Sequence, residues 1–321
     1  MRAVFHFSLA SHQEVMYRNE ADFNHGFNCL AEACLETESS LMAEGFMSTH
    51  FHSMAFTDRL KELIRIERYS YTRYFNAKYE RKGRLGEMKP FILPIEGLYH
   101  ITVALNYVLR QGLHHGITAT PFGYPHCSAN AFFRKELGRT PPEKLMPPEL
   151  RYKYLPDRSS VPADFRMDAS GLLLREDILD TSYVEKIYLS PRNYLFQMNK
   201  ISDQKWIEEQ QADKTKTPVI TLALIETGVK ELDVAQYLRN EHGAVNANKL
   251  TDMELCRIID NDYLPRLLCK QDRTPSVYNL SRTQRNDLGN KLWKELPRCY
   301  KKTVSVPQLR RCLCAEYPFS G

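Results

Sequence analysis

Four side chains at two regular spacings are the residues of this sequence best suited to chemistry. His50 and His52 flank Phe51 in a predicted strand, and Tyr107 and Gln111 lie four residues apart in a predicted helix. Residues at i and i+2 of a strand point to one face of the sheet, and residues at i and i+4 share one face of a helix. Imidazoles and an amide oxygen can ligate a metal ion, and a tyrosine hydroxyl can attack a phosphate. We therefore expect the four side chains to converge on one metal ion and one phosphate.

The elements that must position these residues follow from the periodicity of the apolar side chains. Strands are predicted at 3–10, 41–47, 50–56 and around 91–93, and helices at 21–38, 58–82 and 96–111. Thr57 is the expected cap of the second helix, Gly83 its expected end, and Gly112 is expected to close the third. The order β-α-β-β-α-β, followed by one more helix, is typical of an α+β, ferredoxin-like antiparallel sheet with packed helices.

The composition is that of a water-soluble globular protein with two domains. The chain has 321 residues, of which 43% are hydrophobic and 26% are charged. No stretch reaches the apolar length of a membrane span, and the alternating start from Met1 to Phe7 does not resemble a signal peptide. We expect a cytoplasmic protein that does not associate with membranes.

The cysteines exclude two classes of protein. The eight cysteines are scattered without repeated Cys-x-x-Cys pairs, which is against a zinc ribbon and against a secreted disulfide scaffold. Free and mostly buried thiols are the better interpretation.

The chain divides into three predicted regions. Residues 1–135 form the domain with the candidate site, 136–163 form a proline-rich linker, and 164–321 form a mostly helical C-terminal region. Helices are expected in that region at 234–240, 252–259 and 281–296, whereas 183–201 is ambiguous. Ser281 and Ser305 are the expected caps of two final helices, the second with Pro307 in its first turn.

Positive charge is concentrated in two places. The net charge of +5 says little by itself, but residues 59–90 carry ten Lys/Arg against four Glu, and residues 281–312 carry nine against two acids. In the first stretch cations alternate with tyrosines, and nucleic-acid bases stack on aromatic rings while cations follow phosphates. The candidate DNA-binding residues there are Arg65, Arg68, Arg73, Tyr74, Lys78 and Arg81. The alternative is a solvated helix whose tyrosines pack against the core.

The order of four short motifs resembles that of the REP-associated tyrosine transposases, members of the HUH family of single-strand DNA transposases. The motifs are Phe5–Ser8, Met47–His52, Tyr71–Tyr79 and Asn106–Leu113, within a resemblance that runs from Val4 to about Phe133. Two positions differ from the family's pattern. Ser48 and Thr49 replace Pro-Asn before the first histidine, and Gln111 and Gly112 replace Asn-Pro after the tyrosine.

The resemblance implies a mechanism and a set of partners. His50, His52 and Gln111 would hold a divalent metal ion, Mg or Mn, and Tyr107 would attack DNA to leave a 5′-phosphotyrosine and a free 3′-hydroxyl. The expected partner is single-stranded or hairpin DNA, and the protein would be a monomer or a homodimer without a nucleotide cofactor. Tyr99 is the next candidate nucleophile.

Two other function classes stay open at this point. The domain could bind DNA hairpins without cutting them, or it could be an unrelated metal-dependent hydrolase, although no further metal-ligand spacing supports the latter. The two final basic helices could form a helix-turn-helix-like unit in which Arg310 and Arg311 contact DNA, or they could pack on the first domain. We expect the other histidines to be structural or solvent-facing: His6, His12, His25, His100, His114, His115, His126 and His242.

Overall fold

A four-stranded antiparallel sheet forms the centre of the protein. The computed structural model describes residues 1–139, 144–155, 159–199, 248–268 and 275–315. The strands are β1 (Ala3–Ala10), β2 (Ser40–Met47), β3 (His50–Thr57) and β4 (Phe91–Ile95), in the order β2-β3-β1-β4. The predicted α+β class, with a ferredoxin-like antiparallel sheet and packed helices, is confirmed.

The helices of the described residues fall into three groups along the chain. The first group interrupts and follows the strands: α1 (Glu20–Glu36), α2 (Leu60–Tyr79), α3 (Leu98–Leu109) and α4 (Gln111–His114). The second is α5 (Arg175–Ile178), α6 (Thr181–Tyr188) and α7 (Pro191–Met198). The third is α8 (Asp252–Ile258), α9 (Leu264–Leu267), α10 (Arg282–Cys299) and α11 (Val306–Leu313). Among the described residues no helix has both the length and the apolar character needed to cross a membrane.

The strand register decides which side chains share a face of the sheet. Ser8 lies opposite His52 and Ala10 opposite His50 across the β1–β3 pair. Because side chains alternate along a strand, His6 also points to the face of these two histidines. On the other face, Ile92 lies opposite Phe7 and borders a groove with Ile64 of α2. Helix α2, with α1 packed beside it, thus covers one face, and α3 packs over the histidine face.

The predicted bounds of α2 were wrong at both ends. The helix begins at Leu60, after Thr57, whose hydroxyl accepts a bond of 2.9 Å from the backbone N–H of Arg59. It ends at Tyr79, because Glu80 adopts a left-handed conformation with φ of 53°. The carbonyl of Gly83 accepts bonds from Asn76 and Arg81, which fix the following residues as a turn rather than as helix.

The predicted third helix is two helices. Gly97, with φ of 84°, directly precedes α3, and the helical path breaks at Arg110. Gln111 therefore starts α4 instead of extending the helix of Tyr107. This break determines where the Gln111 side chain lies.

Two hydrophobic clusters fill the interior. The first contains the sheet side chains and extends to Met167 and to Tyr188 and Met198 of the second helix group. The second joins Val15 to apolar residues from Leu250 to Ala315. The predicted division into a domain of residues 1–135, a linker of 136–163 and a C-terminal region of 164–321 stays a prediction. The helix predicted at 234–240 and His242 lie outside the described residues.

The C-terminal helices begin where the sequence predicts. Thr251, Ser281 and Ser305 each accept from a backbone N–H of the first turn and complete a capping box with Glu254, Gln284 and Gln308. The predicted end of α10 before Pro297 was wrong, since the helix continues to Cys299. A proline in the last turn removes one hydrogen bond and kinks the helix without having to stop it. The cysteines in the described part of the chain are free and mostly buried, as predicted.

Candidate active site

His52 is enclosed between two other side chains of the site. It is 0% exposed, and its Nδ1 lies 3.0 Å from Nε2 of His6. The two rings stack with centroids 5.1 Å apart. Its Nε2 faces the hydroxyl of Tyr107 at 3.4 Å, a long hydrogen bond. Both ring nitrogens of His52 are therefore engaged.

Tyr107 reaches the histidines from α3. The side chain is 4% exposed, and its ring meets the His52 ring edge to face, with centroids 5.0 Å apart. The ring of His114 lies 5.6 Å from it on the opposite side of the helix break. Tyr99, the second candidate nucleophile, is 39% exposed and packs beside His100 instead.

Gln111 folds back toward Tyr107 because the helix breaks at Arg110. Its Nε2 donates to the Tyr107 carbonyl at 3.2 Å, and its Oε1 lies 3.1 Å from Nε2 of His115. The His115 ring lies 5.2 Å from the ring of His50. Gln111 thus connects Tyr107 with His115, whose ring lies beside that of His50.

His50 has one engaged and one open nitrogen. Nδ1 lies 3.1 Å from the Thr49 hydroxyl. Nε2 is buried and makes no well-formed hydrogen bond with the described residues. The nearby Gln111 side chain raises the pKa of the His50 ring, but by less than burial lowers it. An open, buried nitrogen of this kind is what a metal ligand presents.

Burial determines the charge of the three histidines. Desolvation lowers the pKa of His50 to about 3 and the pKa of His6 to about 3. Burial, with the neighbouring histidines, also holds the pKa of His52 well below its usual range. All three imidazoles are neutral near neutral pH, which is the form that ligates metal ions.

The side chains of the site supply only some of the ligands that a divalent cation needs. The open nitrogen of His50 and the amide oxygen of Gln111 are suitable ligands. Within the described ranges, however, no three His, Cys, Asp or Glu side chains are grouped closely enough to hold a metal ion. A cation would therefore also need the Gln111 oxygen and oxygens of substrate or water.

The two departures from the transposase motifs have local reasons. Ser48 donates to the Asp252 carboxylate at 2.8 Å, which ties the start of α8 to the turn before His50. A Cβ atom at Gly112 would lie 2.4 Å from Cβ of Tyr124, so this position requires glycine. Ser48 thus provides a hydrogen bond and Gly112 the space for Tyr124 in this structure.

The predicted DNA-binding residues of α2 separate into two sets. Arg65 is open to solvent with 71% of its side chain exposed, and the exposed Arg73 lies 5.6 Å above the Tyr69 ring. Arg68 donates to the carbonyls of Glu87 and Met88. With Lys61 and Arg84, Arg65 and Arg68 border a groove of about 550 Å³.

The second set is committed to contacts inside the protein. Tyr74 and Lys78 bond to the buried carboxylate of Asp22 at 3.1 and 2.6 Å. Arg81 pairs with Glu14 at 2.5 Å. DNA binding by these residues stays a prediction and would require them to share or leave these partners.

The two predicted DNA-binding residues of α11 also differ from each other. Arg311 is 5% exposed and lies 3.4 Å from the Asp252 carboxylate. Arg310 is half-buried and borders a cleft of about 860 Å³ with Arg81 and Lys82. Only Arg310 is thus placed for contact with a partner without loss of the ion pair at Asp252.

His6 and His115 lie within the site, although their sequence context predicts a structural or solvent-facing role for both. The signal for His6 was present, because the ferredoxin-like order places β1 beside β3, and even-numbered residues of β1 then share the face of His50 and His52. His115 had no comparable signal, since its position depends on the helix break.

Comparisons with known proteins found similarity in fold to a solved structure. The sequence matches no protein-family model and no curated protein. Among solved structures, the fold is similar to a REP-associated tyrosine transposase bound to a REP hairpin, with a TM-score of 0.36 and 10% identity. The match covers 43% of this chain and 80% of that chain. Similarity at this TM-score does not by itself establish a family.

Proposed function

We propose that this protein is a metal-dependent tyrosine DNA transposase that nicks and rejoins single-stranded or hairpin-forming DNA. The observation that carries the proposal is the pairing of Tyr107 with His52, 3.4 Å apart in a buried site of neutral histidines. A candidate nucleophile beside a base or ligand that is itself oriented by a third group is the arrangement that nucleophilic catalysis needs. The order of the sequence motifs supplies the substrate class.

His50, His52 and Gln111 are the residues that would hold a divalent cation, Mg or Mn. When bound, it would offset negative charge on a non-bridging phosphate oxygen. The protein's own contribution is to exclude water and to hold the phenol in place, since both histidines and Tyr107 are buried.

The covalent step needs no nucleotide cofactor. The Tyr107 oxygen forms a bond to phosphorus while the bond from phosphorus to the 3′ oxygen breaks, and the phenolic proton ends on that oxygen. The products are a 5′-phosphotyrosine and a free 3′-hydroxyl. Attack by another 3′-hydroxyl on the phosphotyrosine reverses the step and joins strands.

A groove beside the site could accept the DNA strand in this proposal. It has a volume of about 470 Å³ and is bordered by Ser8, His12 and Phe91. Ser8 faces the same side of the sheet as His52, and the Phe91 ring lies 5.7 Å from that of His6. A strand in this groove would approach Tyr107 from the β4 side. We propose that the protein acts in the cytoplasm, as a monomer or homodimer, without a membrane partner.

A second candidate is a DNA-hairpin-binding protein that no longer cuts. The observation in its favour is that Tyr107 is 4% exposed and both nitrogens of His52 already have partners. Such a protein would bind hairpins and form no covalent adduct.

A labelled-oligonucleotide experiment separates the two candidates. Hairpin DNA labelled at its 3′ end is incubated with protein and Mn²⁺ and then run on a denaturing gel. The transposase should carry the 3′ label covalently, whereas DNA labelled at its 5′ end should be released as a shorter strand. Tyr107→Phe should abolish the adduct, and the matched control Tyr99→Phe should retain it. Hairpin binding without any adduct in the wild type would favour the second candidate.

A further inference from the structure

His6 is a buried histidine that the proposed mechanism does not use. It is 0% exposed and lies on β1, opposite Met54 and two residues from Ser8. Its ring is held by the stacked ring of His52 and by edge contacts with Phe91 and Tyr107 at 5.7 and 6.3 Å. A histidine with no solvent contact and three ring neighbours has a fixed orientation.

One proton must lie between His6 and His52. In a neutral imidazole one ring nitrogen carries the proton and donates, while the other has a lone pair and accepts. The contact of 3.0 Å joins Nε2 of His6 to Nδ1 of His52. A hydrogen bond there needs one donor and one acceptor, so the tautomers of the two rings are coupled.

The direction of this bond decides what His52 can do. If His52 donates from Nδ1, its Nε2 keeps a lone pair that faces the Tyr107 hydroxyl at 3.4 Å. If His6 donates instead, Nε2 of His52 carries the proton and can neither accept from Tyr107 nor ligate a cation. The direction of the hydrogen bond to His6 therefore decides whether Nε2 of His52 can accept a proton from Tyr107 or bind a cation.

We propose that His6 is a positioning residue that accepts the Nδ1 proton of His52 and thereby keeps the Nε2 lone pair of His52 directed at Tyr107. This choice of tautomer rests on the proposed function, because a nucleophile or a cation at Nε2 of His52 needs that lone pair. The arrangement places the N–H of His6 on Nδ1, a buried atom without a hydrogen-bond partner among the described residues. An unsatisfied buried donor destabilises the fold, and this is the energetic cost of the proposed tautomer.

The tautomer can be measured directly in the full-length protein. Long-range proton–nitrogen spectra of protein with nitrogen-15 histidine distinguish Nδ1–H from Nε2–H rings. The wild type should show His52 as the Nδ1–H tautomer and His6 likewise. A wild-type His52 protonated on Nε2 would overturn the proposal without any variant.

Variants test whether His6 causes this tautomer. His6→Phe keeps a ring but removes the acceptor, and it should shift His52 toward Nε2–H and weaken Mn²⁺ binding by about 10-fold or more. His6→Gln restores a carbonyl acceptor. It should recover most of the Nδ1–H tautomer of His52 and most of the affinity for Mn²⁺. His25→Phe is the matched control, since His25 stacks on Tyr74 at 3.7 Å and should change neither.

Two outcomes distinguish this inference from the proposed function. An unchanged His52 tautomer in folded His6→Phe would overturn the role of His6, whatever the protein does to DNA. If wild type forms no adduct while the His52 tautomer still follows His6, the proposed cleavage fails and the positioning role stands.

Discussion

Gly45 lies so close to Val108 that a Cβ atom at residue 45 would be 2.7 Å from the carbonyl oxygen of Val108. Gly45 also pairs with His52 in the β2–β3 register. The missing side chain therefore lets α3 approach the sheet directly beside the histidine pair. This close packing is what brings Tyr107 within reach of His52.

Gly45→Ala should impair the site while leaving the sheet intact. The added methyl meets backbone, which cannot move aside as a flexible side chain can, so α3 must shift outward. We expect a loss of about 1–3 kcal/mol in unfolding free energy and at least about a 10-fold loss in adduct formation.

Gly123→Ala is the control for the Gly45 variant. A Cβ there would meet nothing nearer than 3.5 Å, so both the free energy of unfolding and the adduct rate should stay near wild type. Urea unfolding and the denaturing gel measure the two effects. Wild-type adduct formation by Gly45→Ala would show that the approach of α3 is not needed for cleavage.

The sequence predicted the order of elements because apolar periodicity is a local signal. It misplaced the ends that depend on side chains from elsewhere, such as the end of α2, where Asn76 and Arg81 bond to the Gly83 carbonyl. His50, His52 and Tyr107 were predicted as one site from their spacing within single elements together with the order of the motifs. His6 was missed because its role depends on the register between β1 and β3.

The metal-ligand prediction can be tested without DNA. Calorimetric titration of Mn²⁺ should show one site in the wild type, little binding by His52→Ala or His50→Ala, and a milder loss for Gln111→Ala. The amide loss is milder because water can replace a neutral oxygen ligand more easily than an imidazole. Chelator should abolish adduct formation reversibly.

His25→Ala serves as the control for the metal titration, because His25 stacks on Tyr74 in α2. It should bind Mn²⁺ as the wild type does. Equal affinity of wild type and His52→Ala would remove the proposed metal site.

Glu67 should make the protein less stable as the pH rises. Its side chain is 1% exposed, one carboxyl oxygen has no hydrogen-bond partner among the described residues, and burial raises its pKa from 4.5 to about 8. The folded state thus keeps a proton that the unfolded chain releases above its lower pKa. The free energy of unfolding should be highest below the unfolded pKa and fall by about 1.4 kcal/mol per pH unit until the folded pKa is passed.

Glu67→Gln should remove this pH dependence, since glutamine resembles the protonated carboxyl group. Urea unfolding between about pH 5 and about pH 9 measures it. Glu67→Gln should be more stable than the wild type at the alkaline end of this range. Glu62 is partly exposed, and the control Glu62→Gln should show the same change of unfolding free energy with pH as the wild type. Parallel curves for Glu67→Gln and wild type would contradict the raised pKa.

The last prediction separates the two arginines of α11. Arg311 pairs with Asp252, which also accepts from Ser48 at 2.8 Å and Gln308 at 3.1 Å. Arg311→Gln leaves this buried carboxylate without its cation and should cost about 3 kcal/mol in unfolding free energy. Arg310→Gln should change stability much less, because Arg310 is half-buried at the edge of a cleft.

Hairpin binding should show the opposite ranking of the two arginines. If α11 contacts DNA, Arg310→Gln should weaken binding and flatten its salt dependence by roughly one unit of slope, which corresponds to one lost phosphate contact. Folded Arg311→Gln should keep the wild-type slope, because its guanidinium is held at Asp252. Fluorescence anisotropy of a labelled hairpin over a salt series measures both slopes. Unchanged affinity and slope in Arg310→Gln would assign α11 to packing and leave DNA recognition to the exposed cations of α2, Arg65 and Arg73.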